Sequence, residues 1–249
     1  MEKYLKEVKN REEFEQQRAV WLRDISESKD LKASAISTMT ILERQRYTYQ
    51  WDWLGVPIIK MPEEIILIQH AIYQYKPTAI IEIGVARGGG IMLYQSLQAL
   101  CGIKPNVLGV DIKYFEHTKE DLVHLLSEGV TLFEGPSLSS GAIDAVRKFV
   151  QGHNSVFVVI DGDHSHENVL GELQMLDEFL PAQSIVLVAD TILEEVDQTG
   201  LERPWNKNRN PGTALRQFLA EKSNWEHLTD FCNRVVLSDS PMGWILKTH

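Results

Sequence analysis

Apolar residues in the middle of this chain fall into short, β-branched runs separated by longer stretches of mixed polarity. The clearest runs are 79–83, 106–110, 130–134, 155–160 and 184–189. Between them, 91–100, 116–127, 139–151 and 167–180 carry apolar positions at helical spacing. A run that is apolar at nearly every position reads as a strand buried on both faces. Such strands alternating with helices imply a mainly parallel α/β sheet with helices on both sides. Downstream, 212–222 reads as a helix with Asn210 as its cap. The segments 225–228 and 234–238 read as edge strands, and 243–246 as the closing strand.

The flanks are patterned differently. Residues 1–50 mix Glu, Lys, Arg and Gln with spaced Leu, Val, Phe and Trp, which predicts one or two amphipathic helices with a break near 26–32. This extension is expected to cap the domain or to pack against another subunit. Residues 47–64, with Gly55, Pro57 and Pro62 among aromatics, read as irregular, and 63–75 as a helix. Trp51 and Trp53 either plug the core or stand near a binding site. Residues 191–211 are polar and too long for a plain connection, so a lid-like loop is expected.

Composition narrows the class. The 249 residues are 43% apolar and 24% charged, ordinary for a soluble globular domain. The net charge of −10 argues against a nucleic-acid binder, which needs a basic face. Two cysteines, Cys101 and Cys232, suit a reducing compartment. The charged N-terminus does not read as a signal peptide, and no apolar run reaches a membrane span. The expectation is a cytoplasmic protein with no nucleic-acid or membrane partner.

In an open parallel sheet, ligands bind beyond the carboxyl ends of the strands. Those ends carry Glu82 and Gly84, then Asp111, then Glu134 with Ser137, then Asp161, Asp163 and His164, and last Asp190. The first turn admits a dinucleotide reading through Gly84, Ala86 and Gly89, with Asp111 on a ribose. Glu82 has no role in such a site, and no second nucleotide-binding half follows. Asp161 and Asp190 stand at the tips of strands expected to be neighbours. That is a half-site for a hard cation such as Mg²⁺, which takes oxygen ligands and keeps several waters. Asp163 is a further candidate ligand or a helix cap. His164, three residues after Asp161, has the intrinsic pKa to take a proton from a hydroxyl, unless it is only a helix-start residue bonded to backbone.

The run Glu82-x-Gly84-x-Ala86-x-Gly88 resembles the first motif of class I S-adenosylmethionine methyltransferases. There the acid serves the methionine end of the cofactor, and the acid after the second strand serves the ribose. GVARGGG, DGDHSHENVLGEL, RPWNKNRNPGTALRQFL and the upstream WDWLGVPIIKMPEE together resemble the cephalosporin hydroxylase/rhamnosyl O-methyltransferase family, from Trp51 to the C-terminus. The resemblance implies a Rossmann-like class I methyltransferase fold over 51–249, with a helical extension at 1–50. It implies Mg²⁺-assisted O-methylation of a small-molecule hydroxyl, on a secondary metabolite or sugar, by a homo-oligomer. Carried onto this chain, the cofactor residues are Glu82, Gly84, Ala86, Arg87, Gly88, Asp111, Ser137 and Asp161. The metal ligands are Asp161, Asp190 and, less directly, Asp163. His164 is the general base, and Trp53, Arg203 and Trp205 face the acceptor. Relatives end the fifth strand in two ligands, where this chain has Ala189 and Asp190. Asp163, Glu194 or water then fills the gap, or the cation binds more weakly or is lost. An NAD-type oxidoreductase and a non-catalytic cofactor-binding relative are the competing readings.

Overall fold

The computed structural model describes residues 10–196, 205 and 207–249. The chain opens with two helices, α1 (Arg11–Glu27) and α2 (Lys29–Arg44). Ser28 separates them, its hydroxyl accepting the Leu31 N–H to start α2. A 3₁₀ turn (Tyr47–Gln50) then leads into a hairpin of β1 (Trp51–Trp53) and β2 (Val56–Ile58). This segment reads as irregular in sequence. Leu54 and Gly55 both take positive φ, 50° and 87°, which is the two-residue turn geometry that closes a hairpin. Leu-Gly is a weak signal for that turn beside Asn-Gly. Next comes α3 (Pro62–Tyr75), with Pro in its first turn.

Seven strands form the main sheet. They are β3 (Ala79–Ile83), β4 (Val107–Asp111), β5 (Val130–Glu134), β6 (Val156–Ile160), β7 (Ile185–Val188), β8 (Trp225–His227) and β9 (Trp244–Lys247). Their order is β5-β4-β3-β6-β7-β9-β8. The first five are parallel, and β9 runs antiparallel between β7 and β8. The crossovers are α4 (Gly89–Leu100), α5 (Glu116–Leu122), α6 (Ser140–Val150) and α7 (His166–Phe179). After β7 come α8 (Pro211–Glu221) and the single turn α9 (Thr229–Cys232). The chain runs outward from β3 to β5, then returns to place β6 against the other side of β3. That reversal opens a crevice beyond the tips of β3 and β6.

Every residue of β3, β6 and β7 is buried. Alternate residues serve two cores. Ile80, Val107, Phe157, Val159 and Trp244 pack on one face, while Ile81, Leu108, Val158, Val186 and Ile245 pack on the other. Each such buried aliphatic or aromatic side chain is worth about 1.5–3 kcal/mol. Two further expectations change. Residues 116–127 divide into α5 and a 3₁₀ turn (Val123–Glu128). Residues 234–238 form no strand, and Val235 and Leu237 pack against the cores instead. Of the loop expected at 191–211, the start forms a 3₁₀ turn (Thr191–Glu194), and residues 197–204 and 206 lie outside the described residues. No helix among the described residues is long and apolar enough to cross a membrane.

Candidate functional site

Glu82 lies on the face of β3 that holds Ile80, so its carboxyl enters the apolar side of the sheet and is 2% exposed. Its Oε1 accepts the Tyr94 hydroxyl from α4 at 2.8 Å. Its Oε2 is buried with no hydrogen-bond partner. Burial pushes this carboxyl up to about 8, with Lys60 and Tyr94 pulling the other way. The turn after β3 then doubles back. Gly84 has φ 95°, and a Cβ there would stand 2.2 Å from the Asp161 carbonyl oxygen. A Cβ at Gly90 would stand 2.2 and 2.6 Å from the two oxygens of Glu82. These glycines are therefore required by contacts within the protein, in addition to any ligand.

A raised carboxyl is favoured neutral in the folded state. The stability this gives is fully present below the ordinary value near 4.5 and is lost as pH rises through about 8. The melting temperature of the cofactor-free protein is expected to fall between pH 5 and pH 8. Glu82→Gln should flatten that fall, and an unchanged slope in the variant would refute the assignment.

Three side chains meet at the tips of β6 and β7. Asp161, His164 and Asp190 each offer a ligand atom, and these atoms all lie within 4.8 Å of one another. His164 Nε2 is 3.1 Å from Asp190 Oδ2. Asp190 takes a left-handed φ of 58°, which Asp tolerates better than most residues. The Lys60 ammonium, from the segment after β2, donates to Asp161 Oδ2 at 2.7 Å and stands 3.9 Å from Glu82 Oε1. Burial alone would lower the Lys60 pKa, but Asp161 first, then Tyr94 and Glu82, hold it well above the ordinary lysine range. Behind the site, Glu64 accepts the Ser238 hydroxyl. Burial, then the carboxyl of Glu64, holds the neighbouring Asp239 well above the usual carboxylate range.

The structure gathers some of the expected residues and separates others. Glu82, Gly84, Ala86, Arg87, Asp161, His164, Asp190 and Trp205 border one cavity of ≈ 460 Å³. Gly88 caps the start of α4 instead, and the side chain of Leu122 would be 3.2 Å from a Cβ there. Asp111 pins the glycine turn: Oδ2 accepts the N–H groups of Val85 and Ala86, and Oδ1 that of Lys113. Ser137 donates to Glu172 of α7 at 2.5 Å, away from the cavity. Asp163 accepts the Ser165 N–H, a turn before α7, and stands outside the three-residue cluster. Ser165, not Asp163, holds the cap position of α7, so Asp163 serves the turn that precedes the helix. Glu194, an alternative for the place of Ala189, is paired with Arg216.

Of the residues expected to face the acceptor, Trp53 donates to Ser96 at 2.9 Å and packs on the core, so it anchors the hairpin to α4 and does not reach the cavity. Trp205 meets His164 edge-on at 5.0 Å. Arg203 lies outside the described residues. His166 turns to Thr213 and Gln217 on α8, which leaves His164 as the histidine of the site. Sequence reasoning missed Lys60, Glu64 and Asp239, and it missed Met39 and Leu42, by which α2 walls the cavity. A lysine inside the apolar run 56–61 was the available signal for Lys60.

The chain is similar to known proteins in sequence and in fold. The family model for Rhamnosyl O-methyltransferase/CmcI matches residues 45–248. The rhamnosyl O-methyltransferase of Mycobacterium leprae (strain TN) is 27% identical over 143 residues, 57% of this chain and 60% of that protein. The chain thus spans less than two thirds of that relative's length in the match. The rhamnosyl O-methyltransferase of Mycobacterium tuberculosis (strain ATCC 25618 / H37Rv) is 23% identical over 199 residues, 78% of this chain and 77% of that one. Among solved structures, CmcI with Mg and SAM aligns at a TM-score of 0.58 and 14% identity, covering 81% of this chain and 78% of that chain.

Proposed function

Because the chain belongs to the rhamnosyl O-methyltransferase/CmcI family, a family of S-adenosylmethionine-dependent O-methyltransferases, we propose that it methylates a hydroxyl of a small molecule, a glycoside or secondary metabolite, with Mg²⁺ assisting. The observation that carries the reading is the pairing of two features in one cavity. One is a buried acid with an unpartnered oxygen beside the glycine turn. The other is a cluster of two carboxylates and an imidazole at the next strand tips.

The residues present fit both groups. The unpartnered Oε2 of Glu82 suits the ammonium of the donor's methionine end, which would draw the carboxyl back to its charged form. Asp161 and Asp190, with waters completing the shell, suit a hard divalent cation. The donor supplies an electrophilic methyl on sulfur, and the cation supplies Lewis acidity toward an acceptor hydroxyl. The chain's own residues do the rest. With the His164 Nε2–H directed at Asp190, the ring lone pair sits on Nδ1, which takes the hydroxyl proton. Asp190 fixes that tautomer. Met39 and Leu42 from α2 pack in one apolar cluster with Leu193 and Trp205, and together they line the acceptor end and limit water. By holding donor and acceptor against each other, these walls would supply much of the rate. Helix α1 buries none of its residues, and Phe14 and Val20 are exposed on it. A second copy of the chain covering it is part of this reading.

Calorimetry with S-adenosylhomocysteine and with NAD⁺ tests the donor. The first should bind and the second should not, and NAD⁺ binding alone would reverse the reading. Transfer from labelled S-adenosylmethionine to a panel of glycosides and phenols should drop at least about tenfold in EDTA. His164→Ala should lower it by roughly 10²–10⁴-fold while homocysteine-product binding survives. Full activity in EDTA would remove the cation from the scheme.

A further inference from the structure

Lys60 is a charged side chain in an apolar run, and only 7% of it is exposed. Its ammonium reaches the cofactor acid Glu82 on one side and the cation ligand Asp161 on the other, at 3.9 and 2.7 Å. A fixed single positive charge therefore sits where two positive guests have to come. One oxygen of Asp161 is taken by this ammonium, which leaves the other for an ion shared with Asp190.

We propose that Lys60 is a positioning residue that orients Asp161 and sets the strength of divalent-cation binding. This rests on the cation reading of the cluster given above. Two effects oppose each other. The hydrogen bond holds the carboxylate in one orientation, which favours an ion. The ammonium repels a doubly charged ion a few ångströms away, which disfavours it. Repulsion between a single and a double charge at that range, inside a half-buried site, outweighs one hydrogen bond. The net effect of Lys60 is to keep the ion loosely held and exchangeable. Without it, the carboxylates around the cavity would hold an ion more tightly.

The probe is Mn²⁺, whose free form is read by electron paramagnetic resonance, titrated into the full chain with and without S-adenosylhomocysteine. Lys60→Met should bind Mn²⁺ at least about tenfold more tightly than the unmodified protein, a difference of about 1.4 kcal/mol. Lys60→Arg, which keeps the charge, should stay within about threefold. A lysine that merely fills space would not separate these two variants. If Lys60→Met fails to fold, Glu82→Gln is compared with Lys60→Met/Glu82→Gln, which removes the buried acid and base together. The same tenfold difference is expected. Equal or weaker Mn²⁺ binding in the folded methionine variant overturns the role of Lys60 and leaves the cation site standing. Mn²⁺ binding to no form, with S-adenosylhomocysteine still bound, overturns both and leaves the methyl donor in place.

Discussion

Replacing Asp161 with alanine is expected to lower methyl transfer by at least about a thousandfold and to destabilise the protein as well. The activity loss has two sources. The carboxylate is one of the three groups that meet at the tips of β6 and β7, and it holds the Lys60 ammonium in place. Removing the side chain strips a ligand from the cluster and lets Lys60 move. The stability loss comes from Lys60 itself. Its ammonium is buried and would lose its 2.7 Å partner, and breaking a buried pair by deleting one member costs about 3–5 kcal/mol. Asp161→Asn separates the two effects, since an amide oxygen still accepts from Lys60 but ligates a cation poorly. Transfer rates should be about equally low in both variants, while thermal melts place asparagine above alanine. Activity within about tenfold of the unmodified protein in either variant would remove Asp161 from the reaction.

The second large effect is expected at Gly90. An alanine there would put its Cβ 2.2 Å from one Glu82 oxygen and 2.6 Å from the other. Real Cβ atoms do not approach so closely, and the glycine sits in the first turn of α4, where the backbone is held by the helix. Glu82 has no easy retreat, because Tyr94 and Lys60 hold it from other directions. Overpacking of this kind costs about 1–3 kcal/mol, and the displaced carboxyl is the one assigned to the donor. Calorimetry should show S-adenosylhomocysteine affinity falling about a hundredfold. Glu82→Asp in the same chain shortens the acid and should recover part of the stability and little of the affinity. Unchanged affinity in Gly90→Ala would mean that Glu82 does not touch the donor.

The parallel strands were legible because a strand buried on both faces has to be apolar at nearly every position, and β6 and β7 are apolar throughout, while β3 is so but for Glu82. The strand-tip acids followed from the topology rule alone. The cluster of Asp161, His164 and Asp190 assembles from two separate tips as expected, and His166 proves to be turned to α8. What stayed hidden depends on contacts distant in sequence. Trp53 is an aromatic in a motif, and nothing local says that its partner is Ser96. Ser137 follows a strand tip, yet its hydroxyl is drawn to Glu172 on a helix further along. The apolar character of 234–238 comes from packing against the cores, where Val235 and Leu237 lie, and not from pairing in the sheet. Lys60 was passed over because its meaning depends on Glu82 and Asp161, which the sequence places far away.

That distance bears on how the molecule forms. Lys60 and Asp161 are 101 residues apart, and Ser238 and Glu64 are 174 apart. Contacts between such remote positions require the loop between them to be closed first, and they come late in chain collapse. The hairpin, the β3–β4 unit and the helices can each assemble from neighbours. The buried charges are joined only when β6 has inserted beside β3 and the C-terminal segment has returned. Ligand affinity in a refolding experiment should therefore appear after most of the helical signal has been regained, as the last property the chain acquires.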